Sequence, residues 1–401
     1  RNAFSAIFDS NFTSIITGII LYVFGTGPIR GFATTLIIGI ICSFFTAVYL
    51  TRLVFENRMN KGKWLNLTFT TGISRNLMTN THIGFMNFYK KTFSFVGVII
   101  LVAIVSFAVR GLSRSIDFTG GRNYVITFER PVEPEQIRGI IANAFPGTTT
   151  SALALGTDHK TIRISTNYKI ESNSPTVDDE AETILYNALK KGGFVSQPNV
   201  ESFKNPDIRE GGSIISSTKV GPSVAKDITH GAILSVVLAL FAIFIYILIR
   251  FRNMAFSIGS TIALAVDTII VLGVYSLCWG WMPFSLEIDQ TFIGAILTVI
   301  GYSINDKVVV FDRIRENMQL HQKQDFKTLF NDSINQTLTR TINTSTSTLI
   351  VLLCIFFLGG ESIRSFSFAM SLGVIVGTLS SIFVAAPIAF LTLGKQKGKR
   401  R

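Results

Sequence analysis

A carboxylate lies inside an otherwise apolar stretch of the chain, TVIGYSINDKVVVFDRIRE, which runs from Thr298 to Glu316. Asp306 precedes the charged end of this stretch at Asp312 by six residues, or about 9 Å along a helix. An ionisable group at membrane depth costs about 2.5–3.5 kcal/mol on insertion scales, which makes it a functional candidate by default. The alternative is an interfacial aspartate that pairs with Lys307 or Arg313.

The next apolar stretch, TRTINTSTSTLIV, begins with a basic residue and carries many hydroxyl groups and an amide. Arg340 is the expected partner of Asp306, and together they form a predicted proton relay. Polar groups at membrane depth must face protein or water, not lipid. We therefore expect a hydrated seam that serves proton passage, with Tyr302, Ser303, Asn343, Thr344, Ser347 and Thr348 as its candidate members. For each hydroxyl the alternative is a bond back to a carbonyl of its own helix.

Two further acidic residues fall in apolar segments and are candidate secondary members of the relay. Asp267 lies in ALAVDTIIVLG, and Asp9 lies near the start of the chain. Each is more weakly placed than Asp306. The proton is the expected coupling ion. The sequence contains no GxSxG, HExxH, CxxC or Walker A pattern, and its three cysteines lie in apolar segments, so we expect no enzyme, cofactor, metal or disulfide chemistry.

Composition indicates the elements that must position these residues. The chain has 401 residues, is 48% hydrophobic and only 15% charged, and has a mean hydropathy of +0.44, which is typical of a polytopic membrane protein. About eight transmembrane helices are predicted, at Phe12–Phe24, Phe32–Phe55, Phe93–Val109, Ala232–Ile249, Met254–Leu277, Phe292–Phe311, Ile342–Leu358 and Phe366–Leu393.

A polar stretch between the third and fourth segments is long enough for a folded domain. Its pattern of strands and helices predicts the order βαββαβ, a ferredoxin-like α+β domain that ends in a β-rich run beginning at VESFKNP. DFTGG at Asp117–Gly121 is predicted to be a tight turn into the first strand, not a phosphate loop. The predicted divisions of the chain are 1–56, a basic linker with an amphipathic segment at 57–91, 92–111, the domain at 112–227, and 228–401.

The net charge of +12 predicts orientation, not nucleic acid binding. Arg52–Lys91 carries seven basic residues and one acidic residue, and further basic clusters lie at Arg250–Arg252 and Lys395–Arg401. The 112–227 domain has 13 basic and 14 acidic residues. With alternating spans, the positive-inside rule places the basic loops and the C-terminus in the cytoplasm and the domain in the periplasm.

An internal repeat is also predicted. FGTGPIRGF at Phe24–Phe32 resembles FLGGESIRSF at Phe357–Phe366, with Arg30 aligned on Arg364 at an offset of 334 residues. We expect the helix pairs 4–55 and 338–393 to superpose through a pseudo-two-fold axis along the membrane normal, as in transporters built from repeats. The alternative is a chance match between two apolar helices rich in Gly and Ser.

Long motifs now identify a family. SIDFTGG, VGPSVAKDITHGAILSVVLALFAIFIYILIRF, IGYSINDKVVVFDRIREN and SINQTLTRTINTSTSTL resemble SecF, and the opening RNAFSAIFDSNFTSIITGIILYVFGTGPIRGF resembles the last two membrane helices of SecD. The resemblance covers nearly the whole chain and extends to the fused SecDF form of the resistance-nodulation-division superfamily. It implies a non-enzymatic accessory of the Sec translocase in the bacterial inner membrane. Such a protein uses the proton gradient to promote late translocation and release of unfolded secreted proteins. The partners it implies are the SecYEG channel, SecA, YajC, YidC and the lipid bilayer.

Carried over by motif, the family's membrane acid falls on Asp306 and its arginine on Arg340. Lys307 stands where the family often has a small residue, and Val266 stands where it commonly has a histidine. Residues 1–56 then correspond to the end of the SecD-like half, whose own acid and large outer domain would precede Arg1. The alternative function is a proton-coupled exporter of small molecules or lipids from the same superfamily. A purely structural scaffold would tolerate neutralisation of the membrane charges.

Overall fold

The computed structural model describes residues 2–25, 28–64, 81–155, 158–172, 174–208, 210–282 and 284–398. In chain order its helices are α1 Asn2–Phe24, α2 Pro28–Phe45, α3 Thr51–Asn60, α4 Tyr89–Val109, α5 Ile116–Thr119, α6 Pro134–Ala144, α7 Pro175–Lys191, α8 Val200–Lys204, α9 Pro222–Phe251, α10 Met254–Cys278, α11 Gln290–Leu320, α12 Phe326–Leu358, α13 Glu361–Ser380 and α14 Ala386–Gly398. The strands are β1 Gly121–Thr127, β2 Thr150–Ala154, β3 Thr161–Thr166 and β4 Ser213–Val220.

The membrane part is helical, as predicted. Seven helical segments of the described chain are long and apolar enough to cross a bilayer, and α1 adds a shorter apolar segment, Asn11–Phe24. Four helices extend well beyond their predicted apolar segments: α1 begins at Asn2, α9 at Pro222 and α12 at Phe326, and α11 continues to Leu320. Helix α9 begins at Pro222, inside the stretch predicted for the domain. Residues 65–80 of the predicted linker lie outside the described chain.

Helix α11, which carries Asp306, is the most enclosed membrane helix. The rest of the protein buries 72% of the most apolar 18 residues of α11, whereas it buries 6% of the corresponding residues in the helical segment Arg30–Asn60. Small residues on α13 permit this enclosure, because a Cβ at Gly373 would overlap Val299 and a Cβ at Gly377 would overlap Ser303. Close approach through small residues is the usual mode of helix packing in membranes. The candidate acid therefore belongs to the centre of the bundle.

The polar stretch forms the predicted ferredoxin-like domain. Its sheet has the order β2-β3-β1-β4, and each neighbouring pair is antiparallel. Strands β1 and β2 flank β3, which is the split βαβ arrangement. Apolar residues of α6 and α7 cover one face of the sheet, among them Ile137, Ile141, Leu185 and Leu189. The beginning of the β-rich run at VESFK was predicted wrongly, since Asn199 caps the Ser202 amide and starts helix α8.

The DFTGG segment makes a tight turn before β1, as expected. Ser115 caps the short helix α5, and Gly120 follows with a φ of +78°, which favours glycine. A Cβ on Gly121 would overlap Ile116 and the Thr166 carbonyl oxygen. The two glycines thus let the first strand begin directly above the membrane helices.

Backbone pairing and side-chain hydrogen bonds join the domain to the membrane helices. The Ser115 amide donates to the Ile288 carbonyl at 3.0 Å, and the Ile288 amide donates to the Ser113 carbonyl at 2.7 Å. Glu361, in the first turn of α13, accepts a hydrogen bond from the Ala154 amide of edge strand β2 at 3.2 Å. Both connections end on helices of the candidate site, α11 through the loop before it and α13 directly.

Two half-buried acids, Glu287 and Asp289, lie at this interface. Burial raises the pKa of Glu287 above its usual range, against the opposing attraction of Arg138 and Arg163. Burial also raises the pKa of Asp289, and the nearby Asp117 adds to the effect. Glu361 and Ser151 line the same crevice, whose volume of about 60 Å³ leaves room for water.

We expect the docked domain to lose stability as the pH rises. A carboxyl whose pKa is raised by docking holds its proton more tightly in the docked state, so docking is strongest at acidic pH. It weakens between the usual pKa and the raised one. Distances between spin labels at Glu171 and Met282, recorded from acidic to neutral pH, measure the effect. Glu287→Gln should flatten the pH dependence, and distances that do not change with pH in the unmodified protein would contradict it.

Two features of the structure support the predicted repeat. Helices α2 and α13 are each followed by a π-helical turn, Thr46–Leu50 and Ser381–Ala385, at a spacing of 335 residues. Phe32 and Phe366 are equivalent under the 334-residue offset, and their ring centroids lie 5.7 Å apart. Equivalent residues touch only beside a two-fold axis, so this contact fits an axis between α2 and α13. The superposition itself remains a prediction.

Candidate functional site

The Asp306 carboxylate is buried between three helices and bonded only to hydroxyl groups among the described residues. Its Oδ2 accepts from Ser345 Oγ of α12 and from Thr378 Oγ1 of α13, each at 3.3 Å. The two hydroxyls lie 2.6 Å apart, so the three side chains form a closed polar triangle. Asp306 is 6% exposed. Helix α11 continues past the acid because its neighbours supply these hydrogen bonds.

Arg340 lies on α12 but does not contact Asp306 in this conformation. Among the described residues, no hydrogen bond and no ion pair within 4.0 Å joins the two side chains. Arg340 is exposed on the outer face of α12. The predicted closed pair is therefore a different state from the one described, and it stays a prediction.

A second charged cluster lies between α10, α11 and α13. Lys307 Nζ donates to Asp267 Oδ2 at 2.9 Å and to Ser380 Oγ at 3.0 Å. Ser303 donates to the same Asp267 oxygen at 2.8 Å and accepts from Lys307. Lys307 and Asp267 are each 0% exposed. The sequence alternative of an Asp306–Lys307 pair is not the arrangement found.

The predicted seam residues of α12 divide between two kinds of contact. Tyr302 reaches from α11 to Thr348, with the two oxygens 2.9 Å apart. Thr344 and Ser347 donate instead to carbonyls of their own helix, those of Arg340 and Asn343, at 2.8 Å each. The Asn343 side chain is exposed on the same face as Arg340. The back-bonding alternative thus describes Thr344 and Ser347.

Helix α1 approaches α11 on the side away from the acid. Thr13 Oγ1 lies 3.4 Å from Asn305 Oδ1, and Ser14 donates to the Gly301 carbonyl at 3.3 Å. Asp9 belongs to the same helix, but its side chain lies outside the described part of the chain. No group of three potential metal-binding His, Cys, Asp or Glu side chains occurs within the described residues.

Sequence reasoning missed both hydrogen-bond donors to Asp306 and one of the acceptors of Lys307. Ser345, Thr378 and Ser380 were not singled out, although each contacts Asp306 or Lys307. Ser345 lies five residues after Arg340 and so faces a different neighbour. The run GTLSS at Gly377–Ser381 carried a usable signal, because three hydroxyls in an apolar helix require protein partners.

Comparison with known proteins identifies the family. The family description "Protein export membrane protein SecD/SecF, C-terminal" matches residues 202–395, and the "SecD/SecF GG Motif" matches residues 105–132. The protein translocase subunit SecF of Rhodothermus marinus is 40% identical over 81% of this chain and 98% of its own length. The protein translocase subunit SecDF of Thermus thermophilus is 31% identical over 100% of this chain and 49% of its own length.

A solved structure agrees with the sequence match. The crystal structure of SecDF, a translocon-associated membrane protein from Thermus thermophilus, has a TM-score of 0.75 and 30% identity. The match covers 98% of this chain and 48% of the crystallised SecDF chain. The chain therefore spans nearly all of its SecF relative and about half of its SecDF relatives. By sequence, by its glycine motif and by its fold, the chain belongs to the SecD/SecF family of protein translocase subunits.

Proposed function

We propose that this membrane protein uses the proton gradient to promote late translocation and release of unfolded secreted proteins. The observation that carries the proposal is the state of Asp306, a buried carboxylate held by two neutral hydroxyls, with Arg340 on the neighbouring helix but not bonded to it. A carboxylate without a direct cation can gain or lose a proton without breaking an ion pair. Its charge can then decide whether Arg340 is drawn in.

The proposed cycle is a two-state switch. With Asp306 ionised, its attraction for Arg340 pulls the two helices α11 and α12 together. With Asp306 protonated, that attraction is lost and α12 is released. A membrane potential supplies about 2.3 kcal/mol per elementary charge per 100 mV, which is enough to bias an equilibrium of a few kcal/mol.

Helix α13 connects Asp306 to the ferredoxin-like domain, called the αβ domain below. It carries Thr378, which bonds to Asp306, and Glu361, which bonds to the Ala154 amide of β2. The loop before α11 also pairs with the segment that leads into the domain. A shift of α11 against α13 would therefore move the domain relative to the membrane. Such a movement could pull or release a polypeptide without any covalent step, so we propose no enzymatic activity.

The proposed substrate is an unfolded secreted polypeptide, and the proposed coupling ion is the proton. The proposed partners are the SecYEG channel, SecA, YajC and YidC, together with the lipid bilayer. The protein is not proposed to bind nucleic acid. The chain spans about half the length of the SecDF relatives.

The proposal is tested by export into inverted membrane vesicles that contain the complete translocase. With a proton gradient imposed, vesicles that carry this protein should complete late translocation faster than vesicles that lack it. An uncoupler should remove the difference, and co-purification with SecYEG should persist in its presence. Equal export with and without the gradient would contradict proton coupling.

We also propose that the protein lies in the bacterial inner membrane with the αβ domain in the periplasm and the C-terminus in the cytoplasm. The charge asymmetry of the loops supports this orientation. Single cysteines at Ser172 and Lys399 should differ in intact cells, with an impermeant thiol reagent labelling position 172 only. Labelling at 399 with none at 172 would reverse the orientation.

A further inference from the structure

The buried ion pair between Lys307 and Asp267 has no place in the proposed cycle, yet it is the most enclosed charge pair of the described chain. Both side chains are shielded from solvent, at 0% and 1% exposure. Asp267 uses only Oδ2 for hydrogen bonds, and its buried Oδ1 has no partner. A pair of this kind adds little net stability, because desolvation of the two charges offsets their attraction. We therefore look for its role in how it orients α11 against the neighbouring helices.

The pair fixes one helix against two others. Lys307 is on α11, Asp267 on α10 and Ser380 at the end of α13, and all three meet at the Lys307 ammonium. Successive residues of a helix point about 100° apart. A contact that holds Lys307 toward α10 therefore also sets the direction of its neighbour, Asp306, toward α12 and α13.

Loss of this hold would change the surroundings of the acid. If α11 turned so that Asp306 left the Ser345 and Thr378 hydroxyls, its carboxylate would be left buried without those hydrogen bonds. Lys307 is the residue next to Asp306 on α11. Without Asp267, the Lys307 ammonium would form an ion pair with the Asp306 carboxylate. That ion pair would hinder protonation of Asp306. Asp267 keeps the ammonium turned toward α10, about 100° around the helix from the Asp306 side chain.

We propose that the Lys307–Asp267 pair is a rotational anchor of α11, and that Lys307 and Asp267 are positioning residues for Asp306. The anchor deepens the proposed function, since its effect on export presupposes that function. The effect of the anchor on the orientation of α11 does not depend on the proposed function. The two are therefore measured separately.

The geometric test is a disulfide cross-link between Asp306→Cys and Ser345→Cys. In a background with Lys307 and Asp267 intact, the link should form readily, since the native side chains are within hydrogen-bond distance. In the neutral background Lys307→Met/Asp267→Leu, which removes both charges and leaves no buried charge unpaired, cross-linking should fall several-fold. The control Arg52→Met/Glu56→Leu removes an exposed pair on α3 and should leave the yield unchanged.

The functional test uses the same neutral pair with Asp306 and Ser345 restored. Proton-driven export should lose its normal pH profile, while membrane insertion and the yield of folded protein stay at the level of the unmodified protein. The neutral polar pair Lys307→Gln/Asp267→Asn repeats both tests if the apolar pair does not insert. Unchanged cross-linking and an unchanged pH profile would overturn the proposal, and so would failure of both pairs to insert, which would assign the residues to assembly. If Asp306→Asn itself exports normally, the proposed function fails, and the cross-link alone decides the anchor.

Discussion

Asp306→Asn is expected to abolish export driven by the proton gradient while the protein remains folded and inserted. Asparagine has nearly the same volume as aspartate, and its amide oxygen can accept the hydrogen bonds that Ser345 and Thr378 donate. The substitution also removes a charge that is costly at membrane depth. What disappears is the group that binds the proton, so gradient-driven export should fall to the rate found with an uncoupler.

Two companion variants make this result specific. Arg340→Leu removes the proposed partner and should give the same loss. Asp312→Asn neutralises another acid on the same helix, at its charged end, where the carboxylate lies 3.5 Å from Arg250. It should retain most of the stimulation. The measurement is export in vesicles with an imposed gradient, and a normal rate with Asp306→Asn would make the acid structural.

Lys307→Met alone is expected to cause the largest loss of stability of any single substitution considered for the membrane helices. It leaves Asp267 buried without a cation, and breaking a buried pair in this way costs about 3–5 kcal/mol. The effect is measured as the free energy of unfolding in detergent, with equal amounts of each variant purified from membranes. Lys323→Met, at an exposed position between α11 and α12, is the matched control and should change little.

The double variant tests whether the unpaired charge causes this loss of stability. Lys307→Met/Asp267→Leu replaces both charges with apolar side chains, and such replacements are often neutral or stabilising. Most of the stability lost in the single variant should therefore return. A single variant as stable as the unmodified protein would show that Asp267 is neutral or hydrated at this depth. A double variant as unstable as the single one would show that packing, not charge, is at fault.

The sequence predicted the fold to a large extent because its signals are local. Apolar runs of helical length specify membrane helices wherever they occur, since the backbone must satisfy its own hydrogen bonds in lipid. The αβ domain was read correctly for the same reason, from alternation in β1 and from Pro134 at the start of α6. VESFK was misread because its five residues carry no period, and only the Asn199 cap and the burial of Phe203 decide for a helix.

The candidate site was predicted in part. Asp306, Asp267, Ser303 and Tyr302 were found because polar groups in apolar helices are conspicuous in any sequence. Which acid meets which cation was a different question. By sequence Arg340 was the expected partner of Asp306 and Lys307 was an alternative, and the structure pairs Lys307 with Asp267. Pairing of this kind depends on the rotation of each helix about its axis, which no local pattern fixes.

The sequence by itself determined that this chain is a polytopic membrane protein with one extramembrane domain and an acid at membrane depth. Only the tertiary structure decided that Asp306 faces the hydroxyls of Ser345 and Thr378, and that a separate ion pair lies behind it. The physical reason is the close approach of α11 and α13 at Gly373 and Gly377. Glycine allows that contact, but the sequence does not say which helix will use it, because several helices carry small residues and packing selects among them.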